Sequence, residues 1–339
     1  MAGRIFTRVL LCVFTGIGAL SCTPFHNESN SEHPMPEFAK NTRPFCLGRF
    51  TIDIPAEAQV RVITQSIEGF GEIAVHPGMT KERLLHLASS QEQKLRARPH
   101  RKEGTVLRDV VDLNDARLLV FRGDHLTTQS FDLLGYFWKD GAGYVFAYAA
   151  DNDRLEIAKE KLQRAISLVY PRSNDQLPDR PGFCIDSAVV AGSDFRLERV
   201  GAAFTMPSLP GMEIKARTSS VTQIYPENLI TRSEQNLPAV RALHPDLQLE
   251  TLRKGRRRVA DFDGLELVEL ANRGTPEELF QGTWEFLGDI GSLVRPSITI
   301  EIAYDDELAR RNPSEEKFSA DELLVFWDSM LDSFRFRRE

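Results

Sequence analysis

Side-chain chemistry needs a nucleophile with a base, or a set of metal ligands, at workable spacing, and this sequence offers little of either. It has no Gly-x-Ser-x-Gly elbow, no phosphate-binding Gly-x-x-x-x-Gly-Lys loop, no His-Glu-x-x-His and no Cys-x-x-Cys. Its seven histidines are scattered. His26 and His33 precede the body, His76 stands before Pro77, His100 sits among charges, and His125 and His244 read as loop residues. His86 falls inside a helical stretch, where packing or solvent contact is the plainer role. Asp261-Phe262-Asp263-Gly264 sets two carboxylates at i and i+2. A calcium loop needs more oxygen ligands and a distal glutamate, whereas Leu265-Glu266-Leu267 continues as a strand, so the segment reads as a hairpin turn. Asp151-Asn152-Asp153 and Asp305-Asp306-Glu307 are explained by helix capping without a metal. The reading is of a protein that is not an enzyme and needs no cofactor or metal.

Two other clusters suit recognition. Arg253-Lys254-Gly255-Arg256-Arg257-Arg258 is the one basic run. It is either a solvated strand or, through Arg256 and Arg257, a contact for an acidic patch on a partner. Gly288 to Pro296 reads as a loop tip that carries Asp289, Ile290, Leu293 and Arg295. Glycines beside apolar side chains on a loop suit recognition, and equally suit length variation without function.

The chain that must position these residues starts with a leader. Arg4 and Arg8 precede an uncharged apolar run from Val9 to Leu20. At about 1.5 Å per residue those twelve positions reach about 18 Å, short of a bilayer core of about 30 Å, so a secretory signal over 1–21 is expected rather than a membrane span. Gly18-Ala19-Leu20-Ser21-Cys22 is similar to a bacterial lipobox, in which Cys22 would carry the lipid; the alternative is a plain signal with a chance cysteine. Thr23 after it favours the outer membrane. Residues 22–43 are polar and proline-broken, and read as a tether. With Cys12 in the leader and Cys22 lipidated, Cys46 and Cys184 remain, an even pair in an oxidising compartment. They form either a disulfide, worth roughly 4–5 kcal/mol by chain entropy, or two buried thiols. The formal charge of −7 becomes −7 − 2 = −9 once Arg4 and Arg8 leave, which argues against nucleic acid and against any membrane contact beyond the lipid.

The body reads as two similar halves, 44–172 and 182–339, joined by a linker over 173–181. Phe45-Cys46 opens one half and Phe183-Cys184 the other. Thr80 to Arg96, Asp153 to Val169, Leu229 to Leu243 and Ser319 to Phe334 show helical periodicity. Asp153 with Glu156 and Ser319 with Glu322 have capping-box spacing. Hairpins are expected about Asn114-Asp115, Asp140 to Gly143, Asp263-Gly264, and between Phe280 to Leu287 and Ser297 to Tyr304. Phe50 to Pro55 and Phe204 to Pro207 look parallel, and so do Phe146-Ala147-Tyr148 and Ile302-Ala303-Tyr304. Each half then reads as strand, helix, four antiparallel strands, helix. The expectation is an α+β fold of two domains, each a sheet with helices on one face, from internal duplication, with a cleft or hinge between them.

With the halves in view, the chain resembles immunity proteins that neutralise lipase effectors of type VI secretion systems, of the Tli-four kind. The resemblance is carried by Phe45-Cys46-Leu47-Gly48-Arg49-Phe50-Thr51-Ile52-Asp53-Ile54-Pro55, Gly182-Phe183-Cys184-Ile185-Asp186, Gly255-Arg256-Arg257 before Gly264-Leu265, and Leu323 to Ser329. It spans about residues 44–337. It implies a periplasm-facing lipoprotein whose N- and C-terminal immunity domains grip a phospholipase and keep its active site closed. The alternative is an envelope structural or assembly lipoprotein without a toxin partner.

Overall fold

The computed structural model describes residues 35–337 except 69–70, 114, 193–195, 225, 277, 306–308 and 310–317. The leader, the lipidation candidate Cys22 and the tether up to residue 34 lie outside the described residues, as do Asn114, Asp306 and Glu307.

The first half supplies strands β1 (Thr42–Leu47), β2 (Phe50–Pro55), β3 (Gln59–Ser66) and β4 (Ile73–Pro77), then helix α1 (Lys81–Ala97). Strands β5 (Leu107–Leu113), β6 (Ala116–Phe121), β7 (Ser130–Lys139) and β8 (Ala142–Asp151), helix α2 (Leu155–Ser167) and the short β9 (Val169–Pro171) complete it. The second half repeats the order. It runs through β10 (Gly182–Ile185), β11 (Ala188–Ala191), β12 (Arg199–Met206), β13 (Leu209–Ser219), α3 (Leu229–Leu243), β14 (Leu249–Val259), β15 (Phe262–Ala271), β16 (Leu279–Phe286), β17 (Ser297–Asp305), α4 (Ala320–Ser333) and β18 (Arg335–Phe336). Apart from a two-residue pair in the first half, Pro99–His100 with Gly104–Thr105, each strand thus has its counterpart nine numbers on. Four strands, not one, precede the first helix of each half. The counterpart of β2 is therefore β11, and the expected parallel between Phe50 to Pro55 and Phe204 to Pro207 is off by one strand.

The sheets follow the same rule. The first half forms β4-β8-β7-β6-β5 and the second β13-β17-β16-β15-β14, all antiparallel. Register aligns Phe146 opposite Gly135 in one and Ile302 opposite Gly282 in the other, so Tyr148 and Tyr304 correspond. The glycine has the same task in both halves. A Cβ on Gly135 would sit 3.1 Å from Leu162, and one on Gly282 would sit 3.4 Å from Trp327, so each glycine lets the last helix of its half lie close on the sheet.

The halves are not separate modules. The β1-β2 hairpin takes its third strand, β18, from the end of the second half, and the β10-β11 hairpin takes β9 from the end of the first. Strand β3 leaves β4 and pairs with its own counterpart β12, which extends the second sheet to seven strands. One apolar core contains Phe50, Leu133, Phe146 and Leu162 of the first half together with Phe204, Phe280, Trp284 and Trp327 of the second. Residues from Met35 on form one compact unit. The expected cleft or hinge is therefore replaced by a shared core, because each half needs a strand from the other to satisfy its backbone.

The disulfide Cys46–Cys184 joins corresponding positions of β1 and β10, with Cα atoms 6.0 Å apart and a sequence separation of 138. The body also starts before the expected boundary at 44. A short helix at Glu37–Lys40 buries Ala39, and Phe38 meets Phe318 and Phe326 edge-on, each with ring centroids 5.0 Å apart.

Helix ends and turns settle the remaining expectations. Thr80 and Ser319 cap α1 and α4, the latter as a full capping box with Glu322. Asp153 does not cap α2: residues 152–154 form a 3-10 turn ahead of it. The β14-β15 turn falls at Ala260-Asp261, not at Asp263-Gly264. Gly264 is a strand residue, and a Cβ there would sit 2.5 Å from the Trp284 ring.

Candidate functional site

The α+β class holds, with one change in how the helices lie. In the first half they take opposite faces of the sheet. Leu118, Val120, Leu133, Phe137 and Phe146 pack with Ala158, Leu162 and Ala165 of α2. Leu119, Phe121 and Tyr136, on the alternate pleat, pack under Leu84, Ala88 and Leu95 of α1. In the second half α4 covers the core face with Leu323, Phe326, Trp327, Met330 and Leu331. The outer face is covered only in part: Leu267 is buried there, and Arg232 and Glu234 of α3 reach Glu285 and Lys254 on it. Helix α3, the counterpart of α1, buries only Leu229, carries Pro238 inside it and leaves Leu243 exposed.

Register shows what this bare face presents. One row across the strands is Glu213, Ala303, Gln281 and Glu269. The next is Lys215, Glu301, Thr283, Leu267 and Lys254, and the third is Arg217, Thr299, Glu285, Leu265 and Arg256. A shallow cavity of about 240 Å³ lies over the first two rows, lined by Glu213, Lys215, Gln281, Thr283, Glu301 and Ala303. Two cavities of about 440 Å³ each follow the third, on either side of Glu285 and Leu287, which line both. One of them takes in Asn228, Arg256, Asp263 and Leu265, and the other Arg199, Ser219, Val221, Ile224, Glu227 and Arg232. On this face burial pushes the Glu269 carboxyl above its ordinary range, against the pull of Lys254.

The loop from Gly288 to Pro296 borders the same face. It is held by specific contacts. Ile290 forms a parallel bridge to Val221, the Gly291 N–H donates to the Val221 carbonyl at 2.9 Å, and the Asp289 N–H donates to the Arg295 carbonyl at 2.8 Å. Asp289 and Arg295 pair with each other at 2.6 Å, and the Arg295 guanidinium lies over the Phe286 ring at 4.9 Å. The two charges are thus tied up within the loop, Leu293 is half-buried, and Ile290 (61%) and Val294 (55%) stand exposed.

The pleat divides the basic run. Lys254 and Arg256 lie on the bare face. Arg253 and Arg257 turn to the opposite face, where both bond Asp328 of α4. Arg257 also donates to Glu266 at 2.6 Å, and Glu266 accepts the Trp327 indole N–H at 2.7 Å. Burial alone would raise the Asp328 carboxyl, but the bonds from Arg253 and Arg257 outweigh it and hold it below its ordinary range. Arg257 therefore locks α4 to β14 and β15, and Arg256 is the member of the predicted pair that lines a cavity. Sequence reasoning passed over Glu285, Leu287, Ile224 and Lys215. The strand of Glu285 and Leu287 was legible, that of Lys215 was not, and nothing local indicates that their face is left partly uncovered.

Among the described residues no catalytic arrangement is found. The ring of His100, predicted to lie among charges, is buried: Nδ1 accepts the Lys102 and Glu103 N–H groups, and Nε2 sits 3.1 Å from the Thr127 carbonyl. Among the described residues no cluster of three His, Cys, Asp or Glu could hold a metal, and no helix is long and apolar enough to cross a membrane.

Comparison with known proteins agrees with this picture. Residues 43–175 match the family model of the Tle cognate immunity protein 4 N-terminal domain, and residues 176–339 match that of its C-terminal domain. A search of curated protein sequences finds no match. Among solved structures, the chain is similar to the apo form of the type VI secretion immunity protein TplEi from Pseudomonas aeruginosa. Identity is 26% over 87% of this chain and 97% of that one, with a TM-score of 0.74. It is also similar to a chain in the crystal structure of the Tle4-Tli4 complex, at 25% identity over 88% and 98% of the two chains, with a TM-score of 0.76. TplEi complexed with an "L" peptide matches at 26% identity, 88% and 99% coverage and a TM-score of 0.70.

Proposed function

The chain belongs to the Tle cognate immunity protein 4 family, non-catalytic inhibitors that give immunity to type VI secretion effectors, and from that premise we propose that it is a periplasmic lipoprotein that binds a secreted phospholipase and blocks it. In this reading Cys22 carries the lipid and holds the protein at the outer membrane, on the side where an effector that attacks the envelope arrives. The leader and the small residues before Cys22 support it.

The observation that carries the reading is the partly uncovered face of the second sheet. Two repeats of one fold differ in that α1 buries Leu84, Ala88 and Leu95 on this face, whereas α3 buries only Leu229 and leaves the strands beyond β15 with cavities between their side chains. The open patch spans about 20 Å across the strands and about 20 Å along them, on the order of 400 Å². A standard interface takes about 800 Å² from each partner. Helix α3 and the Gly288 to Pro296 loop, which flank the patch, supply the remainder, with exposed Ile290 and Val294 at its rim. The toxin then meets one preformed surface, and affinity comes from preorganisation rather than from two independently moving modules.

The test is inhibition at known stoichiometry. The mature chain with Cys22→Ser, mixed one to one with the cognate lipase effector, should abolish phospholipid hydrolysis. Full activity at tenfold excess would overturn the inhibitor reading. In cells, Cys22→Ser should move the protein from the membrane fraction to the soluble periplasm; unchanged fractionation would remove the lipid anchor.

A further inference from the structure

Glu285 stands where the two larger cavities meet, and its two carboxylate oxygens are not treated alike. Oε1 accepts Nη2 of Arg232 at 2.7 Å. Oε2 is buried and has no hydrogen-bond partner. The side chain is only 11% exposed. A carboxylate oxygen removed from solvent without a donor is costly, so native proteins rarely leave one unmet in a closed core. This one is not in a closed core. Thr299 and Leu265 flank it on the bare face, and Leu287 lines both cavities beside it.

Resting on the inhibitor reading, we propose that Glu285 is the anchoring acceptor of the interface, and that the partner fills it with an arginine or lysine side chain presented on a loop or strand. A cation is the donor that matches best, because hydrogen bonds between ionised groups are shorter and stronger than neutral ones. Arg232 does not compete for Oε2: its Nη2 holds Oε1 and its Nη1 donates to the Glu227 carbonyl at 3.1 Å. The groove's other cations stand apart, Arg199 lining only one cavity and Arg256 only the other. Arg256 and Arg217 are each two strands from Glu285 in the same row, about 10 Å across the sheet. Apolar Leu287 and Ile224 give the stem of the incoming side chain a surface to lie on while its head reaches the carboxylate.

The experiment uses the mature chain, the lipase effector of the inhibition assay and titration calorimetry, with melting curves for every variant to verify folding. Glu285→Gln keeps the shape and removes the charge, and should weaken Kd by about 10- to 100-fold and flatten its dependence on salt. Arg232→Gln frees Oε1 without touching Oε2, and should cost clearly less in Kd than Glu285→Gln does. Glu285→Gln binding within twofold of wild type would overturn the assignment of Glu285 while the inhibitor reading stands. Equal losses in both variants would mean that the internal Arg232–Glu285 pair matters rather than the unpartnered oxygen, and would overturn the assignment. A weaker Kd with unchanged salt dependence would point to a neutral donor and overturn the cationic partner. No binding by the wild-type chain would overturn the inhibitor reading, and this one with it.

Discussion

Arg49 shows how single residues weld this body together. It projects from the β1-β2 turn and meets Glu198, just ahead of β12, through two bonds of 2.8 and 2.6 Å. It also donates to the Gly192 carbonyl at 3.2 Å. Both side chains are 5% exposed. Removing one member of such a pair leaves the other charged and buried, so Arg49→Ala should cost about 3–5 kcal/mol in urea unfolding, whereas an exposed pair such as Arg273–Glu250 should cost less than about 1 kcal/mol. Asp328 gives the pH signature at this scale. Its folded pKa lies below the unfolded one, so its contribution is present above about pH 4 and is lost as pH falls through the folded value. Asp328→Asn should therefore make stability less sensitive to acid below about pH 4; an unchanged slope would remove Asp328 from the acid response. The residues behind these effects differ in how well sequence exposes them. Ser319 with Glu322 is a local signal and reads correctly. Arg49 with Glu198 spans 149 positions, and no spacing rule reaches that far. Arg257 looks like its neighbour Arg256 in a basic run, and only the pleat separates the one that locks a helix from the one that lines a cavity.

At the scale of elements, the informative strands are the shortest. Strand β9 has three residues and β18 two, too few for alternation to register in sequence. Yet each closes the opposite half's hairpin. Most of the longer strands and all four labelled helices were legible, because their periodicity extends over several turns or pleats, but Leu209–Ser219 was missed. The turn assigned to Asp263-Gly264 failed for a physical reason. Glycine punctuates turns when positive φ is needed, but Gly264 is there to make room for Trp284. The bare part of the face was illegible as well, since α3 has the length of a covering helix and only its packing shows that it covers the face in part. Strand exchange makes a prediction at a distance. Ending the chain after Phe334 removes the partner of Phe50 and Thr51 in β2. Amide exchange in β1 and β2, nearly three hundred positions away in sequence, should then accelerate. A change confined to α4 would mean that β18 does not support the first half.

For the whole molecule, the question is whether two repeats behave as one body. Two family models divide the chain at 175/176, a boundary that falls in the connection between β9 and β10. Sequence similarity follows covalent order, whereas stability follows contacts, and here the two diverge. The core runs through both halves, β3 pairs with β12, the terminal strands are exchanged and a disulfide joins the two opening hairpins. Opening a hinge would break each of these links at once. Calorimetry of the mature chain should accordingly give a single transition whose van't Hoff and calorimetric enthalpies agree. Reduction should lower its midpoint, because the disulfide closes a 138-residue separation whose loop entropy is about 5 kcal/mol, but it should not split the transition. Two resolved transitions under oxidising conditions would mean that the halves fold independently after all, and would restore a hinged, two-module grip on the toxin in place of a rigid surface.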